Sequence, residues 1–470
     1  MSQIRNHFTC AAPVHKLPTE ILYSIFHLVH ASVNRCHSRS FTGGDLPEYP
    51  VRYPDCLAHV CCRWRKIALS LPSLWTHVDL TTDISIGEGF LDRARAYAER
   101  ARSMLLEIHL DDKGCACGKD YYALAGIIQH LASRVQGMEF VITAPKLLDF
   151  HGSVMNSLFP GISSKVFKNL RMSSEASLPG PFLWGRDNWA ASDEHDLGPN
   201  ILKCTNDVID TGFSGVTSLH LRGIFFDWSR GLYHGLVDLR LSPSPTGRVP
   251  FITAFTLVAV LSKSPGLRIF QFSLNLSAPD DPDDTLSPVS LPDLEVVQIS
   301  TARAWSCASS LFQLLKPGSK PLRLTLETGP YENLVDQGGI NEFFARSKVE
   351  KLCIRDGNLS MNELRRCDLP YLKVLVFDSC DRILIEPVPT SPSKWNSCMI
   401  HATKLDMYQL RSIFKLCPTG LTVSRCEVRR WLRNEEHELV VPEAELRAAF
   451  PNVQFGDSQL DPTAGWDILE

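Results

Sequence analysis

The sequence predicts an α/β protein in which two short N-terminal helices precede a solenoid of parallel strands. Three observations predict it. A strand template, Φ-x-x-Φ-x-Φ with Φ apolar, recurs at steps of 20 to 31 residues over much of the chain. Helix-like segments stand between its copies. The first 80 residues instead carry two apolar stripes at three- and four-residue spacing, the helical period.

The first helix is read from "KLPTEILYSIFHLVH", residues 16–30. Pro18 suits a first helical turn, where its missing N–H costs nothing. Glu20 complements the positive end of the helix dipole. Ile21, Ile25, Leu28 and Val29, with Leu22 and Phe26 beside them, form a wide apolar stripe. A polar, Gly/Pro-bearing stretch at 38–54 separates it from the second helix. There Leu57, Val60, Cys61, Trp64, Ile67, Ala68 and Leu71 make the stripe, and Arg63, Arg65 and Lys66 lie off it as a solvated face. Pro72 ends this helix, and Leu74 and Trp75 follow. Two short helices cannot bury a large core alone, so they must lean on the rest of the chain, on a partner, or on both.

"LPTEILYSIF" followed by "VCCRWRKIALSLPSLW" resembles the F-box, especially the F-box-like variant abundant in fungal proteins. The matching residues are Leu17, Pro18, Glu20, Ile21, Leu22, Ile25, Phe26, Val60, Cys61, Trp64, Arg65, Ile67, Ala68, Leu74 and Trp75, within residues 13–80. The segment between the helices is longer than in the compact F-box. The resemblance implies binding to the Skp adaptor of a cullin–RING ubiquitin ligase through Leu17, Pro18, Glu20, Ile21, Leu22, Ile25, Phe26 and Trp64. The rest of the chain would then present a protein substrate.

Behind this segment the template recurs as Val216/Leu219/Leu221, Leu236/Leu239/Leu241, Leu267/Phe270/Phe272, Leu294/Val297/Ile299, Val349/Leu352/Ile354 and Leu372/Leu375/Phe377. A looser copy is anchored at Pro321 with Leu324 and Leu326. Earlier copies are Trp75/Val78/Leu80, Leu105/Ile108/Leu110, Val135/Met138/Phe140 and Phe167/Leu170/Met172. From 216 the anchors step by 20, 31, 27, 27, 28 and 23 residues, the range of leucine-rich repeats. "AFTLVAVLSK", "AWSCASSLFQLL", "SMNELRRC" and "DMYQLRSIFKLC" supply the intervening helices, and Ser360 and Glu363 have capping-box spacing. "LPDLEVVQIS" and "LPYLKVLVFDSC" resemble irregular leucine-rich repeats, although the Asn expected after each strand is mostly missing and Cys380 and Cys426 stand in a comparable place. The expected organisation is an F-box-like helical domain at 13–80, an irregular leucine-rich-repeat-like domain at 81–455 and a loose C-terminal tail at 456–470. Exposed loops are expected at 173–200, 278–293 and 386–394.

Composition narrows the function classes. At 470 residues with 44% hydrophobic residues, the chain can bury a real core and is not disordered as a whole. A formal net charge of −4 offers no global basic field for nucleic acid. No secretory signal and no run of roughly 18 apolar residues is legible, so no membrane partner is expected. The 15 cysteines then read as reduced thiols in the cytoplasm or nucleus. No phosphate-cradling GxxxxGK[ST], HExxH zinc helix or GxSxG elbow occurs. Cys115 and Cys117 in "GCACGK", with His109 as a third candidate, lack a completing ligand pair, and "PDDPDD" lacks the spacing of a calcium loop. Neither catalytic residue, cofactor nor metal is expected.

The expected function is therefore a substrate-recognition adaptor, working by raising substrate concentration near another subunit's chemistry. Two other readings stand beside it: a leucine-rich-repeat scaffold not linked to ubiquitin, its N-terminal helices capping the solenoid, and an enzyme whose site is assembled from distant residues. For substrate, alternate strand residues should face away from the core. His220, Arg222, Asp238, Arg240, Gln271, Gln298, Arg323, Arg355 and Asp378 form that candidate row. Within it Arg222, Arg240, Arg323 and Arg355 suit an acidic or phosphorylated segment.

Overall fold

Leu22 and Phe26 are fully buried on helix α1, Thr19–Ser32, which opens the first unit of the computed structural model. The structure describes residues 13–32, 54–81, 89–112, 121–176, 178, 181–188, 201–277, 286–301, 308–327, 338–356, 358–360, 369–380, 382–384, 395–431, 438–456 and 461–467. The second predicted helix is broken in two, α2 (Asp55–Val60) and α3 (Cys62–Ser70). The break is at Cys61, whose extended backbone lets its sulfur accept the Trp64 amide and cap α3. Phe26 packs against Trp64 at 5.0 Å between ring centres, joining α1 to α3. Pro72 turns the chain, and the fully buried Trp75 donates its indole N–H to the Ala68 carbonyl at 2.8 Å. Arg100 lies over the Trp75 ring at 4.4 Å.

The chain divides into two units, Met1–Glu175 with Gly185–Gly215, and Ala176–Trp184 with Val216–Glu470. In the first, strands β1 (His77–Thr81), β2 (Leu106–Asp111), β3 (Val135–Ile142) and β4 (Asn169–Ser174) pair in parallel and in chain order. Helices Gly89–Arg100, Tyr121–Leu131 and Asp149–Leu158 stand between them. Val78, Leu80, Ile108, Leu110, Met138, Phe140, Leu170 and Met172 are buried on one face, as expected. Leu105 is exposed instead, and Leu106 takes the inner place, because the pairing of β2 with β3 shifts register after Leu106.

Among the described residues the main ladder of the second unit has ten strands, again parallel and in chain order: β5 (Ser218–Arg222), β6 (Asp238–Ser242), β7 (Ile269–Phe272), β8 (Val296–Ser300), β9 (Leu322–Glu327), β10 (Val349–Arg355), β11 (Val374–Asp378), β12 (Ser397–His401), β13 (Leu421–Ser424) and β14 (Gln454–Gly456). The ladder does not close on itself. Leu219, Leu221, Leu239, Leu241, Leu352, Ile354, Leu375 and Phe377 are all buried in it. At the loose copy Leu322 is buried and Pro321 is exposed. Helices at Ala254–Ser262, Ala308–Leu314, Gly338–Arg346 and Met407–Leu416 alternate with the strands. The last is closed by a capping box between Asp406 and Gln409. "SMNELRRC" lies mostly, and Cys115, Cys117 and the 386–394 loop lie wholly, outside the described residues. Two other expected loops contain short strands: Phe182–Leu183 pairs with Phe225–Phe226, and Val289–Leu291 with Leu315–Pro317.

A repeated turn ends five of these strands. The residue after each has positive φ: Gly223, Asp356, Ser379, Ala402 and Arg425. Each also donates its amide to a carbonyl on the next strand of the ladder. Beyond two of these turns Cys380 and Cys426 point their thiols at strand carbonyls, Cys380 to Ile354 at 3.4 Å and Cys426 to Ile400 at 3.4 Å. Each thiol thus reaches back to a carbonyl of the preceding strand. Among the described residues no helix is long and apolar enough to cross a membrane.

Candidate functional site

The face of β5–β14 opposite the buried leucines carries the arginines singled out above, spread over three register rows rather than one. Arg323 aligns with Lys351, Arg240 with Gln271 and Gln298, and Arg355 with Glu327 and Asp378. Two of them are held in matching His–Asp–Arg groups. Asp238 accepts from His220 at 2.8 Å and from Arg240 Nε at 3.0 Å. Asp378 bonds His401 Nδ1 at 2.8 Å and accepts from Arg355 Nε at 2.8 Å. Burial alone would raise the Asp238 pKa, but His220 and Arg240 outweigh it and hold the carboxylate at about 2. Burial likewise works against the charge on Arg240 and Arg355, yet their carboxylate partners leave both pKa values raised. The guanidinium planes are therefore fixed and charged: Arg240 also gives Nη2 to Asp238 at 3.1 Å, so its Nη1 is the nitrogen turned outward, as Nη2 is in Arg355.

Those nitrogens hold the chain's own C-terminal segment. Arg355 Nη2 donates to Asp461 at 2.9 Å and to the Thr463 hydroxyl at 3.3 Å. Arg323 Nη1 donates to the Trp466 carbonyl at 2.8 Å, and Arg240 Nη1 to Asp467 at 2.9 Å. The Lys351 ammonium lies 5.7 Å from the centre of the Trp466 ring. The segment is itself turned: Asp461 accepts from both the amide and the hydroxyl of Thr463, and the Trp466 amide donates to the Thr463 carbonyl. Burial opposes ionisation of Asp461, but these bonds and Arg355 leave its pKa lowered. The expectation of a loose tail thus fails for residues 461–467. Charge complementarity across long sequence separation holds them down. Arg222 aligns with Ser242 and is not among the described contacts of this segment.

A second polar cluster lies on the first unit's ladder. His77 and Glu107 are register partners, and so are Asp79, His109, Glu139 and Arg171 in turn along β1–β4. The rings of His77 and His109 stack at 3.9 Å. His77 Nδ1 is 3.3 Å from Glu107, and His109 Nδ1 is 2.9 Å from Glu139. Beside them is a pocket of about 180 Å³ lined by Glu107, His109, Glu139, Asn169 and Arg171, among others. Ligand atoms of His77, Glu107 and His109 lie within 4.8 Å of one another, so these three could share a divalent ion. The pairing of His109 with Cys115 and Cys117 concerns thiols outside the described residues.

At the N-terminus the expected adaptor-binding residues separate by face. Leu22 and Phe26 are internal, and Trp64 and Ile25 are half-buried. Leu17 is half-buried, its carbonyl accepting from Arg63 at 2.6 Å, while Pro18 and Glu20 are exposed. Ile21 is 47% exposed, Leu28 69%, Val29 38% and, on α2, Val60 57%. Leu28, Val29 and Val60 belong to the apolar stripes but were not singled out for the partner. Periodicity alone does not say which edge of a wide stripe the core covers.

The chain matches no protein-family model and no curated protein.

Proposed function

We propose that this chain is the substrate-recognition subunit of an SCF-type (Skp–cullin–F-box) ubiquitin ligase. Residues 13–80 seat on a Skp-type adaptor, and an irregular leucine-rich-repeat-like solenoid holds a protein substrate on its arginine-bearing face. The observation that carries this reading is the apolar edge of Ile21, Leu28, Val29 and Val60 left on the outside of helices whose inner side is already packed. A helix pair that merely caps a repeat array needs a polar outer face; here four exposed apolar side chains stand among the polar ones, Glu20, Ser24 and His27. Helix-in-groove docking is the recognition mode that such an edge suits. No catalytic residue is required of an adaptor, because ubiquitin transfer belongs to other subunits.

The competing reading is a leucine-rich-repeat interaction scaffold unconnected with ubiquitin. Co-purification with a Skp-type adaptor separates the two. Replacing Leu17 and Pro18 with Ala should cut recovery of the adaptor at least tenfold while the melting transition of the chain is kept. Full recovery with the double variant would place the contact elsewhere, and a folded parent that recovers no adaptor would favour the scaffold.

A further inference from the structure

We propose that Arg240, Arg323 and Arg355 form a binding site for an acidic peptide with an aromatic side chain between its carboxylates, and that residues 461–467 are its intramolecular occupant. This names the substrate class of the proposed recognition face and rests on that reading. The segment's seat on the arginines is an observation independent of any ubiquitin ligase.

Three features argue for a peptide rather than a small anion. Arg240 and Arg355 stand four strands apart, ~19 Å along a ladder spaced at about 4.8 Å per strand. No single carboxylate or phosphate reaches both. Arg323, between them, is met by a main-chain carbonyl, a group every peptide offers. Lys351 aligns with Arg323 and meets the Trp466 ring, so the middle of the site reads a flat aromatic face as well as charge. "DPTAGWD" satisfies all of these contacts at once.

Two further features argue that the occupant is displaceable. The side chains of Asp461 and Asp467 remain 46% and 52% exposed in their ion pairs. Half-exposed pairs of this kind are individually weak. The segment stays seated because its tether supplies an effective concentration in the millimolar range. Arg240 and Arg355, by contrast, are oriented by Asp238 and Asp378 from within the ladder, so the two charged ends of the site persist when the tail leaves. A partner segment of the same chemistry would bind by exchange with the tail, and an acidic substrate at low concentration would be excluded.

The test uses the full chain and a fluorescent synthetic peptide of residues 457–470. Binding is followed by anisotropy for the parent and for a tail-disabled variant, Asp461→Lys with Asp467→Lys. Both substitutions fall on exposed positions and leave the ladder intact. The variant should bind the peptide at least tenfold more tightly than the parent, and added salt should weaken the complex. Arg323→Gln in the variant background should abolish binding, as should replacing tryptophan by alanine in the peptide, a change that carries no risk to folding. No binding to the tail-disabled variant at about 1 mM peptide, or equal binding to parent and variant, would overturn the proposal. No adaptor takes part, so failure here leaves the adaptor reading standing, and failure of adaptor recovery leaves this result standing.

Discussion

Arg240 and Arg355 are useful to a ligand because something else has already fixed them. Each gives its Nε to an aspartate that also bonds a histidine, so two guanidinium groups four strands apart are set by the same three-residue device. The device has a pH signature. Asp238 has a folded pKa of about 2 against an ordinary 3.8, so its contribution is complete above about pH 4 and is lost as pH falls through 2. The difference is on the order of 2 kcal/mol. Urea unfolding at pH 4 and at pH 2 should therefore show a smaller acid loss in Asp238→Asn than in the parent. Equal losses in the two proteins would contradict the assignment. The arginines were legible from strand alternation alone. Their aspartate partners stood in the same expected row, but nothing in the sequence paired them. Asp461, Thr463, Trp466 and Asp467 were missed, because they lie 106 to 227 residues from the arginines they meet and no local pattern reports such a contact. A tryptophan set beside aspartates in a short C-terminal segment was the available signal.

The repeating element is a strand, a left-handed residue and a thiol or hydroxyl closing onto strand carbonyls. Its apolar half was plain in the sequence, since Φ-x-x-Φ-x-Φ marks the buried face directly. Its turn was not. Only Gly223 advertises a positive φ, while Asp356, Ser379, Ala402 and Arg425 adopt one without glycine's freedom. The inter-strand amide bond donated by each of these residues compensates the cost of that conformation. Register slips also escaped detection, moving the inner place from Leu105 to Leu106 and from Pro321 to Leu322, because a single shift is invisible to a template tolerant of spacing. The buried half predicts its own energetics. Leu375 is fully buried between β10 and β12, so Leu375→Ala should destabilise the chain by about 2–5 kcal/mol in chemical denaturation. A loss below about 1 kcal/mol would mean that the ladder can collapse around the gap.

At the scale of the molecule, the parallel strands of the two units carry different polar groups: His77, Glu107, His109 and Glu139 in the first, the arginines in the second. The α/β class and the parallel strand order were legible because both follow from a period and an alternation. The proposed function rests on the resemblance of residues 13–80 to an F-box, and the exposed apolar residues of α1 are the structural observation that supports it. If the edge is a docking surface, Ile21→Asp with Leu28→Asp should remove adaptor binding and leave the melting temperature within a few degrees of the parent, since both side chains are already in solvent. The most direct measurement is size-exclusion chromatography of the purified chain mixed with a purified Skp-type adaptor, for the parent and for this double variant. A one-to-one complex with the parent and separate elution of the variant is the predicted result. Separate elution of a folded parent would contradict the proposed function.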